Sequence, residues 1–263
     1  MALLERINVS ARKKVLSLQE AFILAWNAIR FIFVPPFYRV DVIQQMDAIG
    51  VQSLGIVVLT GFFTGMVLAL QSAVQMQRFG ATTYVGSLVT ASMIRELGPV
   101  LAGLMVAGRV GSGIAAQLGS MRVTEQIDAL ETLGYDPLAY LVVPRVIAGT
   151  TMFPVVVAAA MMMGIFCGWG ASSLLLNLST AEYVKGLRLF FQLFDVRYGL
   201  VKSASFGLAV TLIGARRGLR AEGGAVGVGS AATSAVVYSA VLILVLDAFW
   251  AITWLLGHEA TYQ

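Results

Sequence analysis

Charged residues embedded in long apolar runs are the part of this sequence best suited to chemistry. Arg95 and Glu96 are adjacent in one such run, Arg109 follows in the same run, and Asp247 lies in the last one. A charge at membrane depth is costly, so it normally faces protein or water and not lipid. The forked donors of arginine suit a phosphate group, which makes Arg95 and Glu96 candidates for contact with a charged headgroup.

A purely structural ion network is the alternative for the same residues. Neighbouring residues on a helix point about 100° apart, so Arg95 and Glu96 are expected to have separate partners. Asp247 is interpreted as a counter-ion in such a network, with Arg109 or Arg95 as its candidate mate.

Sets of residues that catalyse reactions are missing from the sequence. No nucleophile, base and orienting residue form a recognisable group, and no G-x-x-x-x-G-K-[ST] phosphate loop is present. Residues 111–116 superficially resemble a dinucleotide fingerprint, but they lack the strand, turn and helix that it needs. One cysteine, Cys167, and one histidine, His258, leave no metal-ligand cluster. We therefore predict no catalytic residue, metal or cofactor, and any ATP is expected to be hydrolysed by another chain.

A short helix with an acidic face is predicted after the second apolar run. Glu125, Asp128 and Glu131 fall near one another on its exposed face, and Gly134 and Pro137 are expected to end it. Such a face is usually only a solvated surface. An acidic helix of fixed shape is also what a motor subunit could grip.

The overall composition indicates the environment that surrounds these residues. The 263 residues are 58% hydrophobic and only 12% charged, with a mean hydropathy of +0.83. One soluble core cannot bury that much apolar surface, so lipid is expected to surround the chain. The net charge of +4 could suggest nucleic acid, but the basic residues cluster beside apolar runs and form no separate domain. We predict an integral membrane protein that binds no nucleic acid.

Apolar runs of sufficient length predict an all-α membrane protein with about five spans. The expected spans are residues 51–76, 84–121, 146–173, 200–215 and 229–256. The second is expected to be one long helix that is kinked at Gly98-Pro99. Five spans place the two termini on opposite sides of the membrane.

Two amphipathic segments are predicted, one before the first span and one between the third and fourth spans. Residues 12–34 predict a helix in the membrane interface that ends at Pro35 and Pro36, and residues 177–199 predict a second one on the far side. The expected division of the chain is an N-terminal interfacial segment, a five-span domain and a short tail, over 1–46, 47–256 and 257–263.

The distribution of lysine and arginine predicts the orientation. The N-terminal segment is rich in both, and the loop after the fourth span holds Arg216, Arg217 and Arg220, so both are expected to be cytoplasmic. The tail after the fifth span has neither residue and is placed outside. Residues 177–202 carry four basic residues and fit this rule poorly, which snorkelling to either interface explains.

A small-residue motif in the first span allows two interpretations. Gly61 and Gly65 form a GxxxG, which favours close helix packing. The packing could be internal to the chain. Alternatively, the helix faces a second copy across a lipid-sized cavity, with Gln71 among its few polar groups.

Joined motifs in the middle of the chain resemble the MlaE/YrbE permease family. They are residues 95–99 (RELGP), 107–112 (AGRVGS) and 121–130 (MRVTEQIDAL), followed by Asp136-Pro137, Pro144-Arg145, Asp195, Lys202-Ser203, Phe206-Gly207 and Asp247. The resemblance covers residues 40–256.

The resemblance implies a homodimeric ABC permease in the inner membrane of a diderm bacterium. Such a permease works with two cytoplasmic ATPase subunits and a periplasmic ring of MCE-domain proteins, in many systems with a small STAS-domain protein. Its cargo is phospholipid moved between the inner and outer membranes, which bears on the lipid asymmetry of the outer membrane. By the same resemblance, the ATPase-coupling residues are Arg122, Glu125, Gln126, Asp128 and Glu131.

A lipid cavity between two copies of the chain is expected from three features together: the GxxxG, a long apolar wall and the intramembrane charges. Residues expected near it are Leu68, Gln71, Met76, Phe79, Arg95 and Glu96. Two other classes of protein stay open. A scaffold that only docks an MCE ring needs no continuous cavity, and a secondary transporter needs internal repeats, of which none is visible.

Overall fold

A computed structural model describes residues 22–32, 34–35, 38–176, 178–189 and 191–259, together with Arg12, Leu16, Gln19 and Glu20. The described residues form helices and turns without a strand. Five helical segments are long and apolar enough to cross a membrane: Arg39–Arg78, Thr82–Val123, Leu138–Leu175, Leu193–Leu219 and Gly224–Thr253. The prediction of an all-α membrane protein with five spans is confirmed.

The first span is preceded by two shorter helices. Helix α1 covers Phe22–Phe31, α2 covers Arg39–Ile49 and α3 covers Leu54–Arg78, with a 3₁₀ turn at Val51–Ser53 between α2 and α3. In α1, Phe22 and Trp26 are exposed, as expected of an amphipathic interfacial helix. The rest of the expected helix over 12–34 lies largely outside the described residues, as does most of the short tail. The division expected between residues 46 and 47 falls inside α2 and stays a prediction.

The second span is one continuous helical segment, as predicted, but it contains two wide turns. It consists of α4 (Val85–Ser92), a π-helical turn (Met93–Leu97), α5 (Gly98–Val106), a second π-helical turn (Ala107–Gly111) and α6 (Ser112–Val123). Pro99 has no N–H to donate, so the regular hydrogen-bond pattern cannot pass through it. The interruption expected at Gly98-Pro99 therefore takes the form of a π turn.

The remaining helices correct two expected boundaries. They are α7 (Gln126–Thr132), a π turn (Leu138–Val142), α8 (Val143–Leu176), α9 (Thr180–Leu189), α10 (Leu193–Leu219) and α11 (Gly224–Glu259). The third span starts at Leu138 and not near 146, because Asp136 caps its first turn: the Leu138 N–H donates to Asp136 Oδ1 at 2.8 Å. The fourth starts at Leu193, so the second amphipathic helix is shorter than expected and Asp195 belongs to the membrane span.

Close contacts between main chains hold α3 against α8. A Cβ added to Gly61 would lie 2.4 Å from the carbonyl oxygen of Ala160, and one added to Gly65 would lie 2.0 Å from that of Gly164. Neither site has room for a side chain. The GxxxG therefore packs inside one chain, as the internal interpretation expects, and a second copy facing another side of α3 stays a prediction.

The apolar surface is distributed as lipid requires. In the most apolar windows of the first and fifth spans only 28% and 17% of the residues are buried, against 61% in the fourth. The α10 helix lies in the interior, and α3 and α11 present large apolar faces outward. A membrane protein can leave such faces exposed because lipid covers them.

Candidate functional site

A salt bridge joins the first π turn of the second span to the start of α10. The Arg95 guanidinium donates through Nη2 to Asp195 Oδ2 at 2.8 Å. The Asp195 side chain is only 4% exposed, whereas that of Arg95 is 25% exposed. The π turn thus carries Arg95 into the fold and leaves part of its guanidinium accessible.

A buried lysine binds the carboxylates beside this pair. The Lys202 ammonium lies 2.7 Å from Glu96 Oε2 and 2.5 Å from Asp247 Oδ1, and it donates to the Arg95 carbonyl oxygen at 3.2 Å. Its side chain is completely buried. Two of these contacts, to Glu96 and to the Arg95 carbonyl, are hydrogen bonds, and the contact with Asp247 is an ion pair. The expected separate partners of Arg95 and Glu96 are confirmed, but the mate of Asp247 is Lys202 and neither of the two arginines.

An aromatic ring, backed by a second one, covers one side of the lysine ammonium. Its Nζ lies 5.4 Å from the centroid of the Tyr198 ring, within the range of a cation–π contact. Trp250 packs edge-on against Tyr198 with the ring centroids 6.0 Å apart, and its indole N–H donates to Ser205 Oγ at 2.9 Å. These rings exclude water from one side of the ammonium.

The cluster of Arg95, Glu96, Asp195, Lys202 and Asp247, called the charge cluster below, is not electrically balanced. Two cations face three carboxylates, so the fully ionised cluster carries a net charge of −1. Its most accessible member is Glu96, whose side chain is 45% exposed. The cluster therefore has a buried side, where Lys202 and Asp195 lie, and an accessible side at Glu96.

An open groove begins next to that accessible side. The first groove, of about 360 Å³, is lined by Phe63, Thr64, Val67, Leu68, Gln71 and Leu97. Of these residues, Leu97 directly follows Glu96 of the charge cluster in the sequence and ends the same π turn. A second groove, of about 430 Å³, continues along α3 and is lined by Leu70, Gln71, Val74, Gln75 and Arg78.

The structure brings together some of the residues expected at a lipid cavity and separates others. Leu68 and Gln71 line the first groove, beside the end of the π turn that holds Arg95 and Glu96. Met76 is partly buried and packs against a small core beneath α3. Phe79 follows the last residue of α3 and is 79% exposed. Neither Met76 nor Phe79 lines either of these two grooves.

Arg109 serves a different part of the fold from Asp247. Its guanidinium donates to the Ala48 carbonyl oxygen at 3.1 Å, to Ser53 Oγ at 2.7 Å and to Gln52 Oε1 at 3.1 Å. These three acceptors lie where α2 ends and α3 begins. Arg109 thus clamps the break between the two helices and takes no part in the charge cluster.

The short helix α7 and the residue before it, Glu125, are called the acidic connector below, and they present the exposed acidic face that the sequence predicts. Glu125, Gln126, Asp128 and Glu131 are all exposed, whereas Ile127 is buried in the main core. Arg122 forms an exposed ion pair with Asp128 at 2.5 Å. The helix is therefore fixed to the fold by one apolar side and presents carboxylates on the other.

A residue with positive φ lies on each side of this helix. Glu125 has φ of 59°, and Gly134 has φ of 82° while the Tyr135 N–H donates to the Leu130 carbonyl oxygen at 3.0 Å. Gly134 thus ends α7 as predicted. Pro137 does not end it but begins the turn that leads into α8.

Sequence reasoning on charges alone missed Lys202, Asp195 and Arg145 as buried partners. Asp195 and Lys202 are seven residues apart and so share a helix face, a spacing that could have identified them. Arg145 is 4% exposed and donates to the Leu141 carbonyl oxygen and to Gln117 Oε1, the latter at 3.0 Å. No spacing signal distinguishes it. Among the described residues no group of three or more histidine, cysteine or acidic side chains could hold a metal ion.

The sequence of this chain is similar to those of known membrane permeases. The family model described as Permease MlaE matches residues 42–253. A probable ABC transporter permease protein of Rickettsia conorii is 45% identical over 223 residues, which cover 85% of this chain and 86% of the relative. One of Synechocystis is 40% identical over 236 residues, 90% of this chain and 89% of the relative. The intermembrane phospholipid transport system permease protein MlaE of Haemophilus influenzae is 36% identical over 209 residues, 78% of this chain and 79% of the relative.

Replacement of Lys202 by methionine should destabilise the folded chain by about 3–5 kcal/mol, because it leaves the carboxylates of Glu96 and Asp247 without their cation. Adding Asp247→Asn should recover part of this loss. Thermal unfolding in detergent measures both, with Lys185→Met on the exposed side of α9 as a control that should change little. Wild-type stability of Lys202→Met would contradict a structural role for the cluster.

Proposed function

This chain belongs to the MlaE family of ABC transporter permeases, and we propose that it moves phospholipid between two membranes, driven by ATP hydrolysis on a separate subunit. The observation that carries the proposal is the open apolar groove on α3, which is also lined by Leu97, the residue that follows Glu96 of the charge cluster in the second span. Acyl chains need an apolar wall, and a headgroup needs polar contacts within reach of that wall.

The groove supports a lipid path shared by two copies of the chain. Leu68 and Gln71 line it, and Phe63 and Val67 form an exposed apolar edge. In a homodimer, a second α3 facing this edge would close the groove into a cavity. Arg95 and Glu96 border the cavity in this proposal, and Met76 and Phe79 lie towards its end.

The acidic connector supports coupling to a cytoplasmic ATPase. The buried Ile127 ties α7 to the core, so a push on its exposed face would be transmitted to the second and third spans that flank it. We assign Arg122, Glu125, Gln126, Asp128 and Glu131 to this contact. The opposite ends of the spans would then meet a periplasmic ring of MCE-domain proteins, and a small STAS-domain protein would accompany the ATPase.

The proposed location is the inner membrane of a bacterium with two membranes, with the N-terminus cytoplasmic and the C-terminus periplasmic. The basic loop between α10 and α11 and the basic N-terminal segment support it. An ion pair between Arg220 and Glu20 brings these two segments together in the structure, as expected of segments on one membrane face.

Photoreactive side chains should distinguish the groove from the ordinary lipid surface. One at Leu68 is expected to capture phospholipid in membranes, because the groove would hold lipid long enough to react. One at Trp26, which is 62% exposed on α1, should capture only the bulk background. Equal capture at both positions would leave the permease without a lipid site in this groove.

Charge reversal on the connector should uncouple the ATPase without disturbing insertion. Glu125→Lys combined with Asp128→Lys is expected to abolish copurification of the ATPase subunit and lipid-stimulated hydrolysis, because the exposed face becomes basic. Glu182→Lys, on the exposed part of α9, is the matched control and should leave both unchanged. Retained binding and hydrolysis in the double variant would overturn the coupling assignment.

Single cysteines should report the two termini from opposite sides of the membrane. In a Cys167→Ala background, a cysteine at Arg12 should react with an impermeant reagent only after the membrane is opened, and one at Tyr262 should react in intact spheroplasts. Labelling of both from one side would contradict five spans in this orientation.

A further inference from the structure

Five of the seven residues of α3 that have hydrogen-bonding side chains fall on one narrow strip of the helix. They are Thr60, Thr64, Gln71, Gln75 and Arg78, whereas Ser72 and Gln77 lie off the strip. At 100° per residue these five positions lie within about 60° of one another.

The strip coincides with the two grooves. Thr64 lines the first groove, Gln75 and Arg78 line the second, and Gln71 lines both. Because Gln71 lines both, the two grooves lie next to each other along α3, and together they are called the track below. Seven residues separate Gln71 from Arg78, a rise of about 10 Å.

The three strip residues nearest the C-terminal end of α3 have side chains that are available to a ligand. Gln71, Gln75 and Arg78 are exposed, and in the part of the chain that the structure describes their side chains have no hydrogen-bond or ion-pair partner. Thr60, by contrast, already donates to the Ile56 carbonyl oxygen at 2.8 Å. An amide facing hydrocarbon without a partner is costly, so the strip favours a polar occupant.

The charge of the track indicates the chemistry of that occupant. Neither groove is lined by a carboxylate, and Arg78 supplies a guanidinium at the end of the helix. A guanidinium binds phosphate through two parallel hydrogen bonds. The exposed apolar side chains of Val67 and Val74 lie beside the strip and can contact acyl chains at the same time.

We propose that Gln71, Gln75 and Arg78 form a headgroup track, in which Arg78 binds the phosphate of a phospholipid and the two glutamines donate to its phosphate and ester oxygens. The inference rests on the proposed function and adds to it the feature by which cargo is selected: the phosphate, and not only the acyl chains. Arg78 and Gln75 are specificity-determining residues in this assignment.

Binding of two fluorescent lipids with the same acyl chains tests the track. Phosphatidylglycerol carries a phosphate and diacylglycerol does not. The full-length chain in detergent micelles should bind phosphatidylglycerol more tightly, and Arg78→Gln should weaken that binding about tenfold while leaving diacylglycerol binding unchanged. Gln75→Leu should act in the same direction.

The matched control is Gln77→Leu, the same substitution on the same helix. Gln77 is exposed and lies two residues from Gln75, which places it about 200° around the helix and off the strip. It should bind both lipids as the wild type does. If Gln75→Leu and Arg78→Gln match this control while the wild type still binds phosphatidylglycerol, the track is overturned and the proposed function stands.

Two further outcomes are decisive. If the wild type binds neither lipid, the proposed function itself fails, and the track fails with it. Inorganic phosphate in excess should not displace phosphatidylglycerol, because it lacks acyl chains to contact the apolar edge. Full displacement would identify a site for free anions and overturn the assignment to a lipid headgroup.

Discussion

The buried ammonium of Lys202 is the constraint on which the arrangement of three spans depends. An ion in this position is tolerated only when its donors are satisfied, and the acceptors come from two other spans: Glu96 and the Arg95 carbonyl from the second, Asp247 from the fifth. Helices α10 and α11 and the first π turn must therefore converge on one point. The groove lies beside that point because Leu97 closes the same turn.

The π turn is the local feature that makes this convergence possible. Pro99 prevents the regular ladder from continuing, and the wider turn before it directs Arg95 towards Asp195 and Glu96 towards Lys202. Two adjacent residues thereby reach two different partners. Glu96 stays partly accessible, so the same turn serves both the fold and the surface of the groove.

Sequence reasoning predicted the fold more completely than it predicted the contacts between side chains. Hydropathy identified all five spans, and the motifs around Arg95 and Asp128 identified the family. Hydropathy placed the start of the third span too late, because a charged residue such as Arg145 is typical of a surface. In the structure the Arg145 guanidinium is buried and donates to Gln117. The start of the fourth was placed late for a similar reason, since Asp195 is neutralised by Arg95. Pairing between distant spans, such as Lys202 with Asp247, leaves no trace in local spacing.

The contact of Gly61 and Gly65 with α8, called the glycine seam, places the two sides of α3 under different steric constraints. Gly61 and Gly65 face α8 with no room for a side chain, so selection for a stable scaffold leaves those positions almost no freedom. The groove side of the same helix makes no such main-chain contact, and its side chains can change size and polarity without shifting the seam. One helix can thus keep a fixed attachment while the side chains on its other side change, so point substitutions can reshape the groove without disturbing the packing of the spans.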